Sequence, residues 1–171
     1  MNSKQFGRWA EACVARYLRD KGLTVMTQEA WNMTPYVDFT ATKDVGTQDE
    51  KTFHIQVKGT TRNWEGFNFH YSALNRYLGY AQSRPDGQQF LFAVVSLPRQ
   101  MGYFFDAEYL EEICTEASRR NGDNFSMPGI QRLMPEHAVA SFSLAKTEVA
   151  EGETIANTSG GSMAAREPLF E

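Results

Sequence analysis

The stretch that decides the fold covers residues 36–58 and reads YVDFTATKDVGTQDEKTFHIQVK. Its two ends, residues 36–41 and 53–58, alternate apolar and polar side chains with a period of two, a pattern that is typical of half-buried β-strands. The segment between them, residues 43–51, is polar and contains Gly46 and two aspartates, so it predicts a turn. The stretch therefore predicts a β-hairpin.

A turn centred near Thr47 fixes which residues of the two strands face each other. Asp38 would then lie opposite Gln56, and Tyr36 would lie opposite Lys58. Because cross-strand neighbours project to the same side, a carboxylate, an amide and an ammonium group would meet on one surface of the sheet. A shift of the register by one residue would separate them.

This combination of side chains suits phosphate chemistry at a hard cation. Mg²⁺ takes oxygen ligands, commonly one or two carboxylates together with waters and substrate phosphates. A lysine beside such a cation can stabilise negative charge on a phosphate or orient a water. On the hairpin pattern alone, an ordinary solvated strand surface explains the same residues equally well.

Length and composition place the chain among ordinary globular proteins. Its 171 residues predict one domain with a real core, and 42% apolar and 22% charged residues are typical values. No run of about 18 apolar residues predicts a membrane span, and the N-terminus does not resemble a signal peptide. Cys13 and Cys114 lie in helical apolar patterns and are expected to be buried free thiols, which favours a cytoplasmic location.

The net charge of −4 argues against bulk affinity for nucleic acid. The charges are unevenly distributed, however. Residues 1–100 hold 12 basic and 9 acidic side chains, whereas residues 101–171 hold 5 and 12. A basic first part is compatible with a local phosphate-binding face.

The remaining elements follow from periodicity and from capping residues. The run 90–97 is almost continuously apolar and predicts a central strand covered on both faces. Residues 123–145 are expected to be irregular, and residues 28–35 are expected to form a loop. Helices are expected over residues 3–20, 72–83 and 107–120, and further strands over 23–26, 67–71 and 102–105. This order predicts an α/β fold with a mixed central sheet flanked by helices.

The C-terminal part changes character at residue 148. Few large apolar residues follow, so residues 148–171 are expected to be a disordered tail behind a domain of residues 1–147. The chain ends in Pro168-Leu169-Phe170-Glu171, which resembles the short tails that bind the bacterial sliding clamp, with Arg166 where those tails usually have glutamine. The tail is interpreted either as a passive terminus or as the binding segment for a protein partner.

Residues 5–115 resemble the PD-(D/E)xK nuclease superfamily, which has the restriction-endonuclease-like fold. Residues 7–11 (GRWAE) look like the helical Gly-x-x-Ala-Glu motif of that family, and residues 36–38 (YVD) look like its second motif. Residues 56–59 (QVKG) look like its third motif, in the Gln-x-Lys form found in uncharacterised bacterial and phage members. The resemblance implies a Mg²⁺- or Mn²⁺-dependent nuclease that acts on DNA.

The same resemblance implies a role for each motif residue. Asp38, the side-chain oxygen of Gln56 and the backbone carbonyl of Val57 would hold the metal. Glu11 would orient a water at the metal. Lys58 would position the attacking water and stabilise the transition state, so that hydroxide attacks the phosphodiester in line.

Two departures from the family pattern keep a second function open. Gln56 stands where an acid is usual, and Pro35 is separated from Asp38 by two residues. The alternative is a catalytically weak protein of nuclease fold that binds nucleic acid or a protein partner, for instance in phage–host conflict. A homodimer is left open in either case.

The polar loop 59–66 follows the third motif and supplies the candidate DNA contacts. Thr60, Thr61 and Arg62 can donate hydrogen bonds to phosphate oxygens. The preferred interpretation of the tryptophans Trp9, Trp31 and Trp64 is that they pack in the core or in loops. Trp64 is the exception of interest, because it follows Arg62 in this loop.

Overall fold

The computed structural model describes residues 1–27, 36–122 and 128–158. Within them, a six-stranded sheet is packed between helices. The helices are α1 (Ser3–Asp20), α2 (Tyr71–Gln82), α3 (Ala107–Asn121) and α4 (Lys146–Asn157), with a short 3₁₀ helix at Pro135–His137. The strands are β1 (Thr24–Thr27), β2 (Phe39–Lys43), β3 (Lys51–Thr60), β4 (Phe67–His70), β5 (Gln88–Ser96), β6 (Met101–Asp106), β7 (Ile130–Leu133) and β8 (Ala140–Ser143).

The main sheet has the strand order β1-β2-β3-β5-β6-β8. Strands β3 and β5 are parallel, and the other neighbouring pairs are antiparallel. The crossover between the two parallel strands contains β4 and α2, as a parallel connection requires. Strands β4 and β7 form a separate two-stranded sheet. The predicted α/β class, a mixed central sheet flanked by helices, is confirmed.

The predicted hairpin and its register are also confirmed. Phe39 pairs with Ile55 across β2 and β3, and the Asp38 N–H donates to the Ile55 carbonyl over 2.8 Å, so Asp38 lies level with Gln56. Strand β2 nevertheless begins at Phe39 rather than at residue 36. Tyr36 has a φ of 72°, in the left-handed region, so the backbone turns there and the expected strand pairing of Tyr36 with Lys58 does not form.

The sheet separates two hydrophobic cores. One face, with Phe39, Ile55 and Val57, packs against α1 and α4. The other face, with Phe92 and Val94, packs against α2 and α3. Residues from Phe92 to Val95 in β5 are fully buried, which confirms the prediction of a central strand covered on both sides. Cys13 and Cys114 are buried free thiols, as expected.

Residues 128–145 are more ordered than their sequence suggests. Residues 128–145 contain β7, the 3₁₀ helix and β8, so the expectation of an irregular region is wrong there. In β7 only Gln131 and Leu133 are buried, whereas Ile130 and Arg132 are exposed. Such a short strand with an exposed isoleucine has no clear apolar face, and its pairing with β4 comes from the tertiary structure.

Residues 148–157, which were expected to belong to a disordered tail, form most of helix α4. Gly152 packs so closely on Trp9 that a Cβ there would lie 2.5 Å from the indole ring, and Ile155 is buried. Trp9 Nε1 donates to the Glu148 carbonyl over 2.9 Å, and Arg16 pairs with the Glu148 carboxylate over 2.6 Å. The expectation of disorder is therefore wrong for residues 148–157, because these contacts hold the helix on α1.

Two sequence-based expectations fall outside the described residues. They are the loop 28–35 with Trp31 and the tail segment 159–171 with its apolar end. Among the helices of the described ranges, none has the length and the apolar character needed to cross a membrane.

Candidate active site

Helix α1 is placed directly on the C-terminal half of β3. Its N-cap, Asn2, accepts a hydrogen bond from the Gln5 N–H over 3.1 Å. Gly59 of β3 allows the close approach, because a Cβ at that position would lie 2.8 Å from Phe6 and 3.1 Å from Ala10. This packing brings Glu11, about one and a half turns beyond Phe6, beside the strand that carries the third motif.

A cavity of about 360 Å³ opens where α1, β3 and the start of β2 meet. All the residues that the sequence predicts as metal ligands or catalytic groups line it. The predicted ligands are Asp38, Gln56 and Val57, and the further catalytic residues are Glu11 and Lys58. The structure thus brings together residues that are up to 47 positions apart in the chain. The other residues that line the cavity are Met1, Ser3, Lys4, Phe6, Gly7, Arg8, Gly59 and Thr61.

Two hydrogen bonds to β3 hold Asp38 in place. Its N–H donates to the Ile55 carbonyl, and its Oδ2 accepts a hydrogen bond from the Val57 N–H over 2.7 Å. Both partners belong to β3, so the carboxylate is tied to the strand that carries Gln56 and Lys58. Such a bond to a backbone N–H stabilises the charged form of the carboxylate.

Glu11 and Asp38 line the same cavity, and their carboxyl groups lie close enough to interact. Burial and the neighbouring Asp38 raise the pKa of Glu11 to about 7, against the opposing effect of Arg8 and Lys58. Burial also raises the pKa of Asp38, although its bond from Val57 and the charge of Lys58 oppose that rise. Two carboxyl groups pressed together in this way hold a proton near neutral pH, and a cation could take its place.

The donor set fits a hard divalent cation. The cavity offers the carboxylates of Glu11 and Asp38, the amide of Gln56, which is only 8% exposed, and the backbone of Val57. All these donors are oxygens, the type that Mg²⁺ and Mn²⁺ prefer, and none is the histidine or cysteine that Zn²⁺ favours. Throughout the described ranges, no three His, Cys, Asp or Glu side chains come close enough to hold a metal. A cation held in this cavity would therefore need oxygens from Gln56 and the backbone besides the two carboxylates.

Three cavity neighbours were not predicted as site residues. Lys4 and Arg8 line the cavity from α1, and their spacing of four residues, with Glu11 three further on, was a usable signal that they share one helix face. Tyr77 of α2 lies near Asp38, and burial together with the charge of Asp38 raises the pKa of Tyr77 to about 12. Nothing local in the sequence indicates this last proximity, because α2 and Asp38 are joined only by the fold.

The loop after β3 is placed at the edge of the same cavity. Thr61 lines the cavity, and the guanidinium carbon of Arg62 lies 4.4 Å from the centre of the Trp64 ring. Thr60 differs from the expectation. It is only 1% exposed, and its Oγ1 accepts a hydrogen bond from the Arg62 N–H over 3.1 Å. Its side chain therefore supports the loop and is not available to a phosphate.

No protein-family model matches the sequence, and a search of curated proteins also finds no match. Among solved structures, the fold is similar to that of Hjc, a Holliday junction resolvase from the archaeal hyperthermophile Archaeoglobus fulgidus. The TM-score is 0.49 and the sequence identity 13%, with 83% of this chain and 94% of that chain covered. At this level of similarity the match gives this chain neither an activity nor a substrate.

Proposed function

We propose that this protein is a divalent-metal-dependent nuclease that hydrolyses DNA phosphodiester bonds with an activated water. The observation that carries the proposal is that Glu11 and Asp38 meet in a cavity that also contains Gln56 and Lys58. Carboxylates, an amide oxygen and a lysine in one half-buried place are the groups that phosphoryl chemistry requires.

The residues that would hold Mg²⁺ or Mn²⁺ are Asp38, Gln56 through its side-chain oxygen, and Val57 through its backbone carbonyl. Support comes from the fixed position of Asp38, whose Oδ2 is bonded to the Val57 N–H. When bound, the cation supplies a Lewis acid that lowers the pKa of water and offsets negative charge on the phosphate.

Glu11 and Lys58 are the residues that would act on protons and on charge. Glu11, whose pKa is raised to about 7, can orient a water and accept its proton near neutral pH, the range in which a general base is most effective. Lys58 extends from β3 into the same cavity and can donate to a phosphate oxygen as negative charge grows.

The DNA strand would enter along a basic edge of the cavity. Lys4 and Arg8 line it from α1, Thr61 lines it from the loop after β3, and Arg62 follows in that loop. Phosphate contacts of this kind position a strand without reading its sequence. They also agree with the excess of basic residues in the first hundred positions.

The small number of acidic residues in the cavity favours a second candidate function. Of the residues that line the cavity, two are acidic, and Gln56 contributes no charge. Fewer carboxylates hold a divalent cation less tightly. On this alternative the protein binds nucleic acid or a protein partner and cuts weakly or not at all.

One assay separates the two functions. Linear, circular, single-stranded and branched DNA are incubated with the protein and Mg²⁺, Mn²⁺ or chelator, and both binding and cleavage are measured. Cleavage that needs the metal and disappears in Asp38→Ala supports the nuclease. Binding without cleavage under every metal condition would favour the alternative.

A further inference from the structure

An exposed tryptophan lies on the loop that leaves the candidate active site. Trp64 keeps 42% of its surface exposed, whereas Trp9 in the core keeps 4%. The Arg62 guanidinium stacks on its indole at 4.4 Å, a cation–π contact. An indole and a guanidinium held together at the surface offer a broad flat area on which another planar group can stack.

The loop is fixed at both of its ends. The Arg62 N–H is bonded to Thr60 Oγ1. On the other side, the Arg99 guanidinium donates to the carbonyl oxygens of Trp64 and Glu65, over 3.3 Å and 2.9 Å. The Arg99 N–H is itself bonded to Ser96 Oγ, at the end of the strand that pairs with β3. The indole is therefore presented by an anchored loop, which reduces the entropy lost when a ligand binds.

The position of the indole relative to the cavity limits what it can contact. Thr61 lines the cavity, and Trp64 follows three residues later, a span of at most about 11 Å. Stacked nucleotides of one strand are about 3.4 Å apart. A strand with a phosphate in the cavity can therefore reach Trp64 with a base only a few nucleotides from that phosphate.

We infer that Trp64, backed by Arg62, binds an unpaired base of the DNA strand whose phosphate lies in the cavity. The inference rests on the proposed function for the path of that strand. Paired bases inside an intact duplex are stacked on one another, so their faces are closed to the indole. The preferred substrate class is accordingly DNA with single-stranded character beside the bond to be cut.

The test measures binding in chelator, where metal-dependent cleavage is stopped. Fluorescence anisotropy of a labelled short oligo(dT) and of a blunt duplex of equal length gives the affinity for each ligand. Trp64→Ala should weaken oligo(dT) binding at least about five-fold, the loss of one base–aromatic stack, and should change duplex binding by less than two-fold. Trp64→Phe keeps an aromatic face and should bind oligo(dT) within about two-fold of the unaltered protein.

Tryptophan fluorescence supplies an independent readout. Oligo(dT) should quench part of the emission of the unaltered protein, and Trp64→Phe should lose that part although it still binds. Equal oligo(dT) affinities of the unaltered protein and Trp64→Ala, with unchanged thermal melting, would overturn the inference, as would equal losses for oligo(dT) and duplex. Failure of the nuclease proposal shows separately, as absence of cleavage with Mg²⁺ or Mn²⁺ on every DNA form.

Discussion

The carboxyl group of Glu11, on helix α1, meets that of Asp38, in the bend that precedes β2. Each side chain is positioned by its own element, Glu11 by the packing of α1 on Gly59 and Asp38 by its bond from the Val57 N–H. Their contact is therefore imposed by the fold. Because the charge of Asp38 affects the pKa of Glu11, another charged group that enters the cavity would also change the protonation of Glu11.

The first prediction concerns stability against pH in the presence of chelator. Glu11 has a pKa of about 7 in the folded protein and 4.5 as its ordinary value. The folded state therefore binds more protons between these values, and stability falls as the pH rises from about 4.5 to 7. Glu11→Gln removes this contribution, so its melting temperature should fall less over that window. Differential scanning calorimetry measures the effect.

The matched control is Glu153→Gln, which changes an exposed glutamate on α4. Its melting temperature should follow the pH dependence of the unaltered protein. If Glu11→Gln and Glu153→Gln give the same curve, the pKa of Glu11 is not raised in the folded protein.

The second prediction concerns the cation. At a Mg²⁺ concentration ten times its dissociation constant, ligand linkage stabilises the folded state by about 1.4 kcal/mol. For a domain of this size that corresponds to a rise in melting temperature of about 3–5 °C. Asp38→Ala should abolish the rise, because it removes the proposed carboxylate ligand, which the Val57 N–H holds in place. A Mg²⁺-dependent rise of equal size in Asp38→Ala would place the cation elsewhere.

The third prediction concerns Lys58. Lys58→Ala should reduce cleavage by about 100-fold or more, the usual effect of losing one group that stabilises transition-state charge. The side chain is partly exposed, so the melting temperature should change little. Lys51→Ala, at the exposed start of the same strand, is the control and should cleave normally. Equal activity of the two variants would remove Lys58 from the mechanism.

The central hairpin could be predicted from sequence because its signals are local. Alternation of apolar residues sets which side chains share a face, and Gly46 marks the turn, so the level of Asp38 with Gln56 follows directly. The approach of Glu11 to Asp38 needed the resemblance to a known family. No local pattern indicates that α1 would pack over Gly59, since that contact joins distant parts of the chain.

The parts that sequence reasoning missed have weak local patterns and strong tertiary contacts. Helix α4 has few large apolar side chains, and a glycine in its middle argues against a helix on propensity. Gly152 is nonetheless the residue that lets the helix settle on Trp9. Thr60 was expected to be exposed because it begins a polar loop. It is buried because that loop folds back over its hydroxyl, a contact that the sequence does not indicate.

The fourth prediction concerns the phosphate contact of Arg62. Arg62→Ala should weaken binding to all DNA sequences alike. It should reduce the slope of log affinity against log salt by about 0.9 on duplex DNA and about 0.7 on single strands, the contribution of one phosphate contact. Titrations between about 50 and 200 mM salt measure the slope. Arg19→Ala, in the last turn of α1 away from the cavity, should leave the slope unchanged. An unchanged slope in Arg62→Ala would place the DNA path on another surface.

The last prediction separates the two parts of the C-terminal region. Deleting residues 148–171 removes the buried Ile155 and the Glu148 partner of Arg16, and it uncovers Trp9. Loss of one buried isoleucine alone is worth about 1.5–3 kcal/mol, so the melting temperature should fall by about 3–12 °C. Deleting residues 159–171 removes only a segment with few large apolar residues, and should leave melting and cleavage in vitro unchanged.

Gly152→Ala tests the same contact without shortening the chain. Alanine in place of a helical glycine normally stabilises by about 0.5–1 kcal/mol. Here the added Cβ would lie 2.5 Å from the Trp9 ring, so the substitution should lower the melting temperature. If the alanine variant is more stable than the unaltered protein, α4 does not pack on α1 in solution. In that case the deletion of residues 148–171 should also be harmless, so the two measurements check each other.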